Sequence, residues 1–138
     1  MFKKTVLPSG LRILTASMSG TNTVTVLIFV GTGSNHETKQ NNGISHFLEH
    51  MFFKGTHRRP SKVQIASELD GLGAVYNAFT SNEYTGYFAK VGYQYFDLAF
   101  DVVTDIFLNS TLPVEEIERE RGVIIEEMHM RHDDPPSR

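Results

Sequence analysis

Two histidines and a glutamate stand close together in the segment His46-Phe47-Leu48-Glu49-His50. Residues at i, i+3 and i+4 of an α-helix point to one side, so on a helix these three polar groups would project together. Two imidazoles one turn apart can bind the same ion, and zinc favours nitrogen donors in tetrahedral geometry. The spacing therefore predicts a metal site with His46 and His50 as ligands and Glu49 as general base. The competing interpretation is a pair of core or surface histidines beside a solvated glutamate.

A catalytic zinc site usually needs a third protein ligand. Glu120 and Glu127 are candidates, because both fall on the predicted buried stripe of a last helix that runs from about 113 to 132. The apolar members of that stripe are Ile117, Ile124 and Met128. Carboxylates on a core-facing stripe are costly unless they are paired or bound to metal. Periodicity alone does not choose between the two glutamates. Gly122 inside this helix indicates close backbone packing, since glycine costs about 1 kcal/mol against alanine there.

Hydrophobic patterns predict the elements that position these groups. Strands are predicted at 3–7, 11–16, 23–30, 73–80 and 84–91, and helices at 43–53, 61–71, 96–107 and 113–132. Ser61 and Gln64 form the capping-box pattern that opens the second helix. Strand 23–30 is apolar on both faces, which predicts a central strand.

The order of the elements predicts one α+β domain over residues 1–138, with a mostly antiparallel sheet and helices packed on one side. The metal site would lie between two helices. On the third helix, Asp97, Asp101 and Asp105 are expected on the solvent side.

Composition excludes several functional classes. The net charge of −3 gives no basic surface for nucleic acid or anionic membrane. With no cysteine, the chain has no disulfide, thiolate metal site or cysteine nucleophile. The longest apolar run, 26–30, is too short to span a bilayer, and we expect a soluble, cytoplasmic protein.

Several separated motifs in this chain resemble the pitrilysin/insulinase family of zinc peptidases, the inverzincins, and in particular its bacterial and mitochondrial-processing-peptidase branch. The similar segments, in chain order, are Leu7-Pro8-Ser9-Gly10-Leu11-Arg12, Gly43-Ile44-Ser45-His46-Phe47-Leu48-Glu49-His50-Met51, Phe53-Lys54-Gly55-Thr56, Asn77-Ala78-Phe79-Thr80-Ser81, Glu118-Arg119-Glu120-Arg121 and Glu127-Met128. The resemblance extends over nearly the whole chain.

The resemblance implies a role for each candidate residue in a zinc-dependent endopeptidase. Glu127 matches the third ligand of one zinc ion, and Glu120 matches an acidic residue that supports the site without binding metal. Asn77 and Ala78 match a strand that holds extended peptide substrate, which agrees with the ability of an edge strand to add a peptide. The alternative for Asn77 is a polar residue near a turn that faces solvent. Four histidines match no ligand position and are expected at the surface: His36, His57, His129 and His132.

Members of the family continue far beyond the length of this chain, so the resemblance implies the N-terminal part of a two-half, clamshell peptidase. Three interpretations follow: a peptidase domain, a zinc- and peptide-binding module that lacks its closing C-terminal half, or a structural fragment with an empty site. Apolar surface left by missing strands would favour self-association or a complementary C-terminal half. A peptide is the expected substrate.

Overall fold

The computed structural model describes residues 2–133 of the chain, and the side chains of residues 2–130. Its strands are β1 (Phe2–Val6), β2 (Arg12–Ala16), β3 (Thr23–Val30), β4 (Val75–Thr80) and β5 (Thr85–Gly92). Its helices are α1 (Ile44–Met51), α2 (Lys62–Asp70), α3 (Phe96–Leu108) and α4 (Val114–Asp133), with short 3₁₀ turns at Ser34–His36 and Tyr93–Tyr95. Each predicted helix and strand is present, with shifts of a few residues at the ends.

The strands form two antiparallel sheets. β1 pairs with β2 as a separate hairpin, whereas the second sheet has the order β3-β5-β4. The prediction of a central β3 was therefore wrong within the described residues, where β5 is central and β3 lies at an edge. The physical reason is that apolar residues on both faces do not reveal how many strands pair with β3, and on one of these faces Leu27 and Phe29 are in fact 48% and 57% exposed.

Helices pack on one side of the three-stranded sheet, as predicted for an α+β fold. α3 lies across β3 and β5, and α1 contacts β4 and α4. The core between α3 and the sheet is formed by Val26, Ala78, Tyr87, Ala89 and Val91 with Ala99, Val102, Val103 and Ile106. Ala78 of β4 belongs to this core, and Phe52 and Phe53, just after α1, pack against it.

One aspartate of α3 departs from the prediction. Asp105 was expected on the solvent side, yet it is 1% exposed. Its carboxylate accepts hydrogen bonds from the Arg59 guanidinium at 2.8 Å and from the Thr56 hydroxyl at 2.7 Å. Arg59 also pairs with Asp101 and Glu68. A buried ion network thus joins the segment after α1 to α2 and α3.

The capping of α2 agrees with the prediction, whereas two residues of α4 depart from theirs. Ser61 caps α2 by accepting a hydrogen bond from the Gln64 N–H, as predicted. On α4, however, Met128 is 64% exposed rather than part of a buried stripe. Gly122 has open space where a Cβ would lie, so the expected close backbone packing is absent.

No helix within residues 2–133 is long and apolar enough to cross a membrane. The expected cytoplasmic location stays a prediction.

Candidate metal centre

Helices α1 and α4 meet at the residues predicted to bind metal. One donor atom from each of His46, His50 and Glu127 lies within 4.8 Å of the others. The two histidine Nε2 atoms are 3.3 Å apart. The Oε2 atom of Glu127 lies 3.7 Å from Nε2 of His46 and 3.8 Å from Nε2 of His50. Residues from distant parts of the sequence are thus brought to one point.

The donor set fits a zinc ion. Ligand atoms about 2.0–2.2 Å from a tetrahedral zinc lie about 3.3–3.6 Å from one another, and two histidines with one glutamate form a known catalytic zinc set. The spacing of the two imidazoles matches this range, and the glutamate distances exceed it by a few tenths of an ångström. His46 and Glu127 are each about one-third exposed, which leaves an open side for water or substrate.

Glu120 lies behind His50 rather than at the centre of the site. Its Oε2 atom is 3.0 Å from Nδ1 of His50, and its Oε1 atom accepts a hydrogen bond from the buried Lys54 ammonium. Burial by itself would raise the pKa of Glu120, but the bonds from Lys54 and His50 outweigh burial and lower the pKa. An ionised carboxylate only accepts hydrogen bonds, so this contact requires a proton on Nδ1 of His50, and in the neutral ring Nε2 then presents its lone pair.

The carboxylate of Glu49 is held beside the two histidines. It projects from α1 one turn after His46, and its Oε2 atom accepts a 2.5 Å hydrogen bond from the Thr80 hydroxyl on β4. A fixed carboxylate next to the donor cluster can exchange a proton with a water or a leaving group there. Thr80 therefore links the candidate base to the strand that borders the site.

Strand β4 runs along the site with one edge unpaired within the described residues. Asn77 is exposed on this strand, and its side-chain oxygen accepts a 2.9 Å hydrogen bond from the N–H of Ala78. That N–H consequently does not pair with β5. Free backbone groups on such an edge can bind an extended peptide as an additional strand.

A cleft of about 420 Å³ lies between β4, α1 and α2 and opens beside the donor cluster. Its walls include Glu49, Phe53, Lys62, Tyr76, Asn77 and Glu127. The cleft combines apolar and aromatic walls with the polar groups of the site, which is typical of a binding site.

The start of α1 is fixed by an acidic side chain from the preceding loop. The carboxylate of Glu37 accepts hydrogen bonds from the backbone N–H groups of Gly43 at 2.6 Å and Ser45 at 2.8 Å. The bond from Ser45, followed by that from Gly43, lowers the pKa of Glu37. These bonds satisfy N–H groups that have no partner within the helix, so Glu37 holds the metal-site helix in place.

The structure brings together all seven residues singled out by sequence: His46, Glu49, His50, Asn77, Ala78, Glu120 and Glu127. Sequence reasoning missed three supporting residues, Glu37, Lys54 and Thr80. The four-residue step from His50 to Lys54 was a usable signal, because it places a cation one turn beyond the ligand. His36, His57 and His129 are exposed, as predicted, whereas the side chain of His132 lies outside the described residues.

The candidate metal site thus lies between α1 and α4 of an α+β domain, beside the edge strand β4. The family described as insulinase (peptidase family M16) matches residues 12–137, and the chain belongs to this family.

Individual similar proteins agree with this family assignment. The chain is 44% identical over 135 residues to the uncharacterized zinc protease YmxG of Bacillus subtilis, covering 98% of this chain and 33% of that protein. It is 47% identical over 124 residues to the mitochondrial-processing peptidase subunit beta of Caenorhabditis elegans, covering 90% of this chain and 27% of the relative. A crystal structure of a protease from Helicobacter pylori superposes with a TM-score of 0.91 at 28% identity, over 99% of this chain and 33% of that one.

The chain spans about a third of the length of these relatives. At the level of the family, the relatives support a hydrolase of the zinc-protease type.

Proposed function

We propose that this chain is a zinc-dependent endopeptidase domain that hydrolyses bonds of extended peptides. The observation that carries the proposal is the meeting of His46, His50 and Glu127 within 4.8 Å, with Glu49 beside them. We propose these three residues as ligands of one zinc ion per chain and Glu49 as general base. Residues 1–138 would act as one zinc-peptidase domain.

In the proposed peptide hydrolysis, the zinc ion and the side chains of the protein have different roles. Zinc, when bound, supplies a positive charge that polarises a carbonyl and makes water more acidic. Glu49 accepts a proton from the attacking water and returns it to the leaving amine. Thr80 holds one oxygen of that carboxylate at 2.5 Å, which leaves the other oxygen to handle the proton. Glu120 would support the site through His50 without binding metal.

The substrate would lie along β4. We propose that a peptide pairs with the free edge of this strand at Asn77 and Ala78, so that its scissile bond passes the metal. Binding would require the Ala78 N–H to exchange the side-chain oxygen of Asn77 for a peptide carbonyl. The geometry needs an extended peptide, because only an extended chain can follow a strand edge.

A second function is a zinc- and peptide-binding module that does not turn over by itself. The open side of the site favours it, since His46 and Glu127 remain about one-third exposed and water is not excluded. In this case a complementary peptidase half, or a second copy of the chain, would close the site. The relative named as a subunit beta indicates that members of the family can act within assemblies.

The test is zinc content and peptide cleavage by the purified chain and by Glu49→Gln. We expect both proteins to retain about one zinc, and the variant to lose cleavage by a factor of about 100 or more, as is typical for a general base. A chelator should abolish any cleavage by the unaltered chain. Full activity of Glu49→Gln would contradict the role of Glu49, whereas zinc binding with no cleavage by either protein would favour the binding module.

A further inference from the structure

Lys54 is a buried cation directly behind the proposed metal site. The residue lies just beyond the end of α1 and is 8% exposed. Its ammonium donates to Oε1 of Glu120, which is itself 4% exposed. The other oxygen of the same carboxylate faces Nδ1 of His50 at 3.0 Å. Glu120 therefore bridges a lysine and a histidine with its two oxygens.

Stability alone is a poor explanation for this arrangement. Burial of two charges costs several kcal/mol of desolvation per ion, and a buried ion pair is often replaced by apolar residues without loss of stability. The geometry offers another explanation. A carboxylate with one partner can rotate about its last bond, whereas a carboxylate held at both oxygens has a fixed plane.

We propose that Lys54 is a positioning residue for the ligand His50, an inference that rests on the proposed zinc site. By holding Oε1 of Glu120, Lys54 keeps Oε2 directed at the N–H of His50 Nδ1. That bond fixes the ring and leaves the Nε2 lone pair facing His46 and Glu127. Lys54 thus acts on the metal through two intervening side chains.

The direction in which zinc affinity changes when Lys54 is removed distinguishes a positioning role from simple charge repulsion. A lysine near a cation site repels the cation, so removal of its charge alone would tighten zinc binding. Positioning predicts the opposite, since removal of Lys54 would free Glu120, the outer partner of His50, and loss of such a partner typically weakens metal binding by about 10–100-fold. Lys62 provides a matched control, because it lines the same cleft and has no hydrogen bond to Glu120 within the described residues.

The experiment measures zinc affinity by competition with a chromophoric chelator at one pH. We expect Lys54→Met to bind zinc at least about tenfold more weakly than the unaltered chain. Lys54→Gln keeps a hydrogen-bond donor without the charge. Its zinc affinity should lie between those of Lys54→Met and the unaltered chain. Lys62→Met should bind zinc equally well or more tightly. Equal or tighter binding by Lys54→Met would overturn the inference.

A second measurement is made without metal. It therefore tests the role of Lys54 separately from the proposed zinc site. Nitrogen-15 NMR of the metal-free, unaltered chain and of Lys54→Gln reports which ring nitrogen of His50 carries the proton. We expect the Nδ1–H form in the unaltered chain and a mixture of both tautomers in the variant. If the unaltered chain binds no zinc, the proposed function fails. A pure Nδ1–H form in Lys54→Gln would show that Lys54 does not position the ring.

Discussion

At the scale of single residues, the two glutamates of α4 illustrate how environment assigns roles. Glu120 and Glu127 lie two turns apart on one face, yet Glu120 is 4% exposed while the Glu127 side chain is 34% exposed. The buried carboxylate already has two partners, Lys54 and His50. The Oε2 atom of Glu127 lies 3.7 and 3.8 Å from the Nε2 atoms of the two histidines, which is too far for a hydrogen bond. This carboxylate is therefore available to bind an ion.

Substitution of Glu127 should therefore abolish tight zinc binding. We expect Glu127→Gln to weaken zinc affinity by more than about 100-fold, since loss of a direct ligand exceeds the 10–100-fold typical of an outer partner. Isothermal titration of the metal-free chain with zinc measures this effect. Glu126→Gln is the matched control, because its side chain lies next along the same helix and is exposed. Unchanged affinity in Glu127→Gln would exclude it as the third ligand.

The sequence predicted which polar side chains of α1 lie together, because their spacing is tied to helix geometry. His46, Glu49 and His50 share one face of any helix, so no tertiary information is needed to bring them together. The choice of Glu127 over Glu120 came only from family resemblance, since the periodicity of a helix does not distinguish two residues on one stripe. Thr80 could not be predicted, because its bond to Glu49 depends on how α1 packs against β4.

At the scale of elements, the buried network at Asp105 fixes the segment between α1 and α2. Burial by itself would raise the pKa of Asp105, but hydrogen bonds from Thr56, Asn109 and Arg59 lower it from 3.8 to about 2. The prediction that Asp105 faces solvent was wrong, because helical periodicity does not reveal that Arg59, from another segment, packs against α3. Asp105 and Arg59 satisfy each other in a site that neither could occupy alone.

This network should make the stability of the chain sensitive to acid. A carboxyl whose pKa is lowered on folding stabilises the fold fully above its unfolded pKa and loses that contribution as the pH falls through the folded pKa. The window is therefore about pH 4 down to pH 2 for Asp105, and the contribution is about 2 kcal/mol. Urea unfolding across this range measures it.

Asp105→Asn is the variant that isolates the effect of this carboxyl. We expect its free energy of unfolding to be lower near neutral pH and to change less between pH 4 and pH 2 than that of the unaltered chain. Glu118→Gln is the control, because Glu118 is exposed on α4. An equally steep acid dependence in Asp105→Asn would show that other carboxyls dominate.

At the scale of the whole molecule, one face of the three-stranded sheet is not covered by any part of the chain that the structure describes. Helices cover the side that carries Val26, whereas Leu27 and Phe29 point away from them and remain about half exposed. The sequence predicted apolar residues on both faces of β3 but not that one face would lack cover, because coverage depends on the packing of other segments. The hairpin of β1 and β2 also exposes Phe2, Leu11 and Leu14.

Such a surface favours association of the chain with itself or with a complementary half. We expect the chain to elute from a size-exclusion column as a dimer or larger species at micromolar concentration. The double variant Leu27→Thr with Phe29→Thr should shift the elution toward the monomer. Val63→Thr is the control and should not shift it, because Val63 is exposed on α2, away from this sheet face. A monomer at all concentrations would contradict the expectation.

The junction of α1 and α4 has a further consequence for how the chain is held in its folded form. Glu127 follows His50 by 77 positions (127 − 50), so an ion shared by the two would link α1 to α4 around more than half of the described chain. Because the two ligands come together only on folding, such an ion would bind the folded chain in preference to the unfolded one, and its binding would add to the free energy of unfolding. Metal occupancy would then be a determinant of folding as much as of chemistry, because the ion would hold α1 against the last helix.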